Sequence, residues 1–176
     1  MVLKLEDKKA IVGEVAEVAR QAHSLVAAEY RGLTVDQMTR LRSTARTSGV
    51  YLRIIRNTLA RRALEGTQFA CMQDELVGPL LLAFSQEDPG SAARLIKAFI
   101  KDNEALKVKA LVIDSKLLPA SGLNQVASLP TRDEAIALLM SVMKAPITQF
   151  VRTLAAPHTQ LVRTIAAVRV QKESAA

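Results

Sequence analysis

The chain has 176 residues, 49% of them hydrophobic, which suits one domain of ordinary size with a true core plus an appendage. Trp is absent and aromatics make up 3%, so that core must be built mostly from Ala, Val, Leu and Ile. The net charge is +7, a lone Cys71 excludes an intrachain disulfide, and neither a signal-peptide h-region nor about 18 uninterrupted apolar residues occurs, so a soluble, cytoplasmic protein is expected.

Ile11, Val12, Val15, Val18, Ala19 and Ala22 recur at helical spacing and predict an amphipathic helix over about 4–22, with Lys8 and Lys9 near its start. "LVAAEY" (25–30) reads as a short buried strand. Thr34 and Gln37 match a capping box and Gly49 a helix end, which brackets a helix over about 35–48. "VYLRII" (50–55) is a second strand, followed by a helix from about Asn57 to Glu65 that ends at Gly66. "PLLLAF" (79–84) is a third strand. Asp88 as N-cap and Pro89 at the first helical position predict a helix reaching about Asn103. "VKALVI" (108–113) is the fourth strand.

Strands alternating with helices imply an α/β fold: an N-terminal globular domain, 1–113, with a small sheet flanked by helices. The alternation stops at Ile113. Residues 114–130 read as a linker with one short helix, and a capping box at Thr131 and Glu134 opens a long C-terminal helix over 131–176.

That helix repeats itself. Thr148-Gln149-Phe150-Val151-Arg152-Thr153-Leu154-Ala155-Ala156 returns eleven residues later as Thr159-Gln160-Leu161-Val162-Arg163-Thr164-Ile165-Ala166-Ala167. Eleven residues are about three helical turns with a drift of only about 20°, so each copy presents nearly the same face. The frame extends backwards: Leu139, Phe150 and Leu161 correspond, as do Met143, Leu154 and Ile165, giving three units with the first degenerate. Pro146 and Pro157 close two of them and predict bends that cut the helix into segments of about three turns. Segments so short are marginal alone, so something must cover the stripe, and a repeated stripe matches a repeated partner better than one irregular core. Arg152 and Arg163 lie on the opposite face.

Charge is uneven along this framework. Residues 1–62 carry 12 basic and 6 acidic side chains, 63–130 carry 6 and 8, and 131–176 carry 6 and 3. The basic first third favours a polyanion such as RNA, because each neutralised phosphate releases condensed counterions; a solvated basic surface has the same composition.

Two stretches, "YRGLTVDQMTRLR" (Tyr30 to Arg42) and "VYLRIIRNTLARRAL" (Val50 to Leu64), are similar in order and spacing to those that mark a family of bacterial ribosomal proteins, the large-subunit ribosomal protein ten family at the base of the stalk. The likeness continues through Gly78-Pro79, Pro130-Thr131 and the C-terminal helix, and so covers nearly the whole chain. Arg56 stands where many members have Lys, which keeps the charge, and Leu80 where many have Thr, which removes a polar group.

The resemblance implies a non-enzymatic protein of the cytoplasmic ribosome's large subunit, with a job at each end. Its N-terminal domain would dock on large-subunit rRNA near large-subunit protein eleven. Its C-terminal helix would carry dimers of the acidic stalk protein, large-subunit protein seven/twelve, which recruit the translational GTPases. Members also repress translation of their own messenger RNA. Carried onto this sequence, RNA contacts are expected from Arg31, Gly32, Arg53, Arg56, Asn57 and Thr58, with Lys8, Lys9 and Arg61 as outlying ones. Arg forks suit phosphate, Gly32 allows close backbone approach, and Asn57 and Thr58 at a helix start expose amides to an anion. The same Asn57 and Thr58 equally read as helix caps, and Arg53 as a solvated strand residue. Stalk-protein contacts are expected from Leu139, Met140, Met143, Ile147, Phe150, Val151, Leu154, Leu161, Val162 and Ile165, and three units imply three dimers.

Enzymatic chemistry finds little footing. His23 and His158 are far apart in sequence, and neither has a Cys or carboxylate at zinc-ligand spacing. No phosphate-binding Gly-rich loop or Gly-x-Ser-x-Gly elbow occurs, and Asp133 and Glu134 fit the first turn of a helix. No metal, cofactor or small-molecule substrate is expected. The patterns alone leave other readings open: an α/β enzyme with a pocket at the strand ends, self-association of the C-terminal helix in a right-handed coiled coil of the same period, and a membrane-surface helix protein, the last disfavoured by the two prolines and the scarcity of Lys on the polar face.

Overall fold

Alternate residues of a pleated strand point to opposite sides, and the apolar runs of this chain are apolar on both sides because both are covered by helices. The computed structural model describes residues 4–103 and 105–175. It divides at Thr131/Arg132 into two units. In the first, α1 (Leu5–Gln21), β1 (Ser24–Glu29), α2 (Val35–Thr47), β2 (Val50–Ile54), α3 (Asn57–Leu64), β3 (Leu80–Ser85), α4 (Ser91–Asp102), β4 (Lys107–Ile113), β5 (Lys116–Pro119) and α5 (Leu123–Ala127) follow one another, with a 3-10 turn at Ala70–Glu75 before β3. The second unit is α6 (Arg132–Ala175).

The sheet order is β2-β3-β1-β4-β5, and every neighbouring pair is antiparallel. β1 and β2 therefore run the same way with β3 between them, and β3 and β4 run the same way with β1 between them. One side of the sheet packs Leu25, Leu82, Phe84 and Val112 against Val15 and Ala19 of α1 and Ala63 and Leu64 of α3. The other packs Val26, Leu81, Ala83 and Leu111 against Leu41 and Ala45 of α2, Ile96 of α4 and Val126 of α5. With few aromatics, small Ala side chains let the helices sit close to the strands.

A bulge sets what β4 presents. The β1–β4 register runs Ala27 to Ala110 and then Ala28 to Val108, leaving Lys109 as the extra residue. Val108 and Ala110 consequently belong to opposite sides of the sheet although they are two residues apart.

Three expectations change. Residues 114–130 hold the expected short helix, α5, but also β5, which pairs with β4 through a two-residue hairpin whose Asp114 and Ser115 both have positive φ (47° and 64°). The helix expected from Pro89 starts at Ser91, because the Asp88 carbonyl is taken by the Ser91 amide (3.1 Å) and by the Ser85 hydroxyl, which makes 88–91 a turn. And α6 is not cut: its 44 residues run through Pro146 and Pro157 without an end. A proline removes one hydrogen bond, and the intact ladder on either side carries the helix past it.

Candidate functional site

The strand register brings the two sequence motifs together. Glu29 at the end of β1 pairs with Leu80 at the start of β3 and with Lys107 at the start of β4, while Ile54 at the end of β2 pairs with Leu81. The Tyr30–Leu33 turn, the β2–α3 junction, Gly78-Pro79 and the start of β4 thus lie at one end of the sheet.

Each piece has a local cause. The Leu33 amide donates to the Tyr30 carbonyl (3.3 Å) across Arg31 and Gly32, and Gly32 has φ +91°, which an L side chain rarely adopts. Arg31 is exposed at the tip of that turn. Arg56 is the N-cap residue of α3 and supplies no side-chain cap, so the amides of Asn57 and Thr58 face outward at a helix start, where the helix dipole favours an anion. Asn57 does not cap either: its Nδ2 donates to the Gly78 carbonyl at 2.9 Å. Between these segments is an open cleft of about 520 Å³ lined by Tyr30, Arg56, Asn57, Thr58, Gly78 and Pro79, among others. A smaller hollow beside it joins Lys8 of α1 to Arg56, Thr58, Leu59 and Arg62.

The other expected residues are placed differently. Lys9 is exposed on α1 and lines neither hollow. Arg61, although exposed, is engaged by the protein, donating from Nε to the Gln73 carbonyl and from Nη2 to the Leu76 carbonyl (both 3.1 Å), and so ties α3 to the loop that leads to Gly78. Arg53 is ion-paired with Glu14 of α1 and donates to the Tyr51 hydroxyl (2.6 Å), which in turn donates to Glu14 (2.8 Å). The hydrogen bond from Arg53, followed by that from Tyr51, lowers the Glu14 pKa; the same bond to Glu14 raises that of Arg53. Burial, ahead of its hydrogen bonds, raises that of Tyr51.

Three cations at this end were not singled out from sequence. Arg62 follows Arg61 directly but, unlike it, opens onto the hollow beside Lys8. Lys107 and Lys109 begin β4, and Lys109 Nζ donates to the Val77 carbonyl at 3.0 Å, next to Gly78. Their alternation in "KVKALVI" marks a strand start, but only the register shows which end of the sheet it occupies.

On α6, Leu139, Met140, Met143, Ile147, Val151 and Val162 are exposed, and the corresponding pairs Phe150 and Leu161 (65% and 59%) and Leu154 and Ile165 (65% and 61%) are exposed alike. The repeat extends to hydrogen bonds. Thr148 donates to the Lys144 carbonyl and Thr159 to that of Ala155, while Thr153 donates to Phe150 and Thr164 to Leu161. By length and composition alone α6 would also reach across a bilayer.

The sequence comparisons decide the family. The model for ribosomal protein L10 matches residues 3–101, and that for the ribosomal protein uL10 C-terminal region matches 129–156. The chain belongs to the ribosomal protein L10 family. Large ribosomal subunit protein uL10 of Thioalkalivibrio sulfidiphilus is 62% identical over 176 residues, the whole of both chains. That of Methylococcus capsulatus is 63% identical over 175 residues, 99% of this chain and all of the relative, and that of Alkalilimnicola ehrlichii 57% identical over the same share of each. As an L10-family member the chain is a structural ribosomal protein of the large subunit and not an enzyme.

Proposed function

We propose that the first unit anchors the chain on large-subunit rRNA through the strand-end cleft, and that α6 carries three dimers of the acidic stalk protein, which bring translational GTPases to the ribosome. The observation that carries this reading is the exposed apolar stripe of α6, repeated at matched positions on a helix that leaves it uncovered. A hydrophobic strip of this kind is a helix-in-groove ligand, with Phe150, Leu154, Leu161 and Ile165 as anchors. Arg152 and Arg163, within that helix, tell against a bilayer as the cover.

For the RNA end, the supporting geometry is the grouping of Lys8, Arg56 and Arg62 around the start of α3, with Arg31 exposed on the turn at the same end of the sheet. Arg56, Asn57 and Thr58 make the strongest contacts in this reading. Arg53 and Arg61, held by protein groups, position other residues. Messenger RNA repression would use the same surface, since phosphate contacts carry little sequence information.

Native mass spectrometry of the chain reconstituted with the stalk protein tests the count: a heptamer is expected, and a pentamer with two dimers would overturn it. Binding to an rRNA fragment from the stalk base, lost in Arg56→Gln/Thr58→Ala, tests the other end; undiminished binding would refute the cleft.

A further inference from the structure

We propose that the open edge of β2 is a second RNA-backbone site, in which phosphates seat against Arg42 and Arg46 of α2 and the strand continues into the strand-end cleft. The inference rests on the RNA reading above and extends it to a groove where the end of the first motif, Arg42, meets the start of the second, β2, with Arg46 between the two motifs.

β2 ends the sheet, so one row of its backbone N–H and C=O groups has no neighbouring strand. The opposite edge is blunted: β5 is four residues long, begins with Lys116 and finishes with Pro119. β2 has no proline, and its free edge lies in a groove of about 480 Å³ whose walls include Arg42 and Arg46 on one flank and Glu14 on the other. Arg42 and Arg46 are one helical turn apart, about 6 Å along α2. Both are exposed, and among the described residues neither is paired with a carboxylate. Glu14 is the acid in the groove, and Arg53 neutralises it. Two positive charges are left without a counter-charge beside a row of unpaired backbone groups.

The sign of that charge selects an anionic occupant. A nucleic-acid backbone is favoured over an acidic peptide added to the sheet by continuity: Ile54 lines both this groove and the strand-end cleft, so a chain lying along β2 passes directly to Arg56. Guanidinium forks also match phosphate oxygens in pairs, and phosphates carry charge at every residue of the chain.

The test uses the full chain and an rRNA fragment from the stalk base, with anisotropy measured across a salt series. R42Q/R46Q is expected to flatten the slope of log K against log salt by about 1.4 to 1.8, the value for two lost phosphate contacts. A charge-matched control, R20Q/K116Q, whose residues line neither this groove nor the two hollows at the strand ends, is expected to keep the wild-type slope, and thermal melts check that both doubles fold. If R42Q/R46Q behaves like the control while R56Q weakens binding, this proposal is overturned and the strand-end cleft stands. If the wild type fails to bind the fragment, both fall. If R42Q/R46Q binds RNA normally but loses a polyglutamate probe that the wild type holds, the groove belongs to acidic peptides and the proposal is likewise overturned.

Discussion

Asn57 donates to the Gly78 carbonyl at 2.9 Å, a bond between residues 21 positions apart that fixes the start of α3 against the turn before β3. Gly78, with φ +98°, sits there because a side chain would be strained. The bond therefore joins two lining residues of the cleft as well as two segments of the fold.

Asn57→Ala is expected to cost about 1 kcal/mol in urea unfolding, the worth of one ordinary hydrogen bond. The same change should weaken rRNA-fragment binding about tenfold, or about 1.4 kcal/mol, as the two walls of the cleft part. Loss of stability with unchanged RNA affinity would reduce the bond to a fold contact.

Gly32→Ala should destabilise by about 1–2 kcal/mol through backbone strain alone, since a β-carbon there would stand 3.5 Å from that of Ala105, an ordinary contact. Equal stability of the two proteins in denaturant titrations would mean that the Tyr30–Leu33 turn readily adopts another form.

The Glu14–Arg53 pair makes a prediction about pH. Glu14 has its pKa lowered by Arg53 and then by Tyr51, so its contribution is present above the ordinary glutamate range and is lost as pH falls through its folded value. Glu14→Gln should therefore lower Tm slightly at pH 7 and leave it unchanged near pH 2, where both proteins are neutral at this position. Because Glu14 is half exposed, solvent screening keeps the effect below about 1 kcal/mol. A difference that grew on acidification would have the wrong sign for this pair.

Each apolar unit of α6 should act alone. Phe150→Asp/Leu154→Asp and Leu161→Asp/Ile165→Asp are each expected to remove one stalk dimer in native mass spectra, and their combination two. Loss of every dimer from either pair would point to one continuous interface instead of separate seats.

Pro157→Ala restores an amide inside α6 at a position where proline is about 3 kcal/mol less favourable than alanine. Hydrogen exchange of amides near 154–161 should slow in the variant. Equal exchange rates would show that the hydrogen bond missing at Pro157 does not weaken this turn.

Four strands were legible because "LVAAEY", "VYLRII", "PLLLAF" and "VKALVI" are apolar at successive residues, as sheets covered on both faces require. β5 was not: "KLLP" is too short to show a period, and its hairpin uses Asp114-Ser115 where a glycine would have signalled the turn. Strand order and the bulge at Lys109 depend on pairings distant in sequence, so neither the end of the sheet that Lys107 occupies nor the Glu14 partner of Arg53 was readable. The family motifs found the walls of the cleft, while Arg61 and Arg62, adjacent and alike in sequence, part only in space: one bonds to backbone carbonyls, the other faces the hollow. The exposed apolar stripe of α6 was legible because periodicity is a local property, and what a local pattern overstates is the power of one proline to end a helix.

Because α6 is unbroken, its period is also a ruler. Successive apolar units are spaced about 16 Å along the axis and rotated by only about 20°, so the dimers proposed above would stand side by side on one flank of the helix. On that proposal capacity would scale with length in steps of eleven residues: inserting or excising one such cassette should change the number of bound dimers without altering any contact within the first unit.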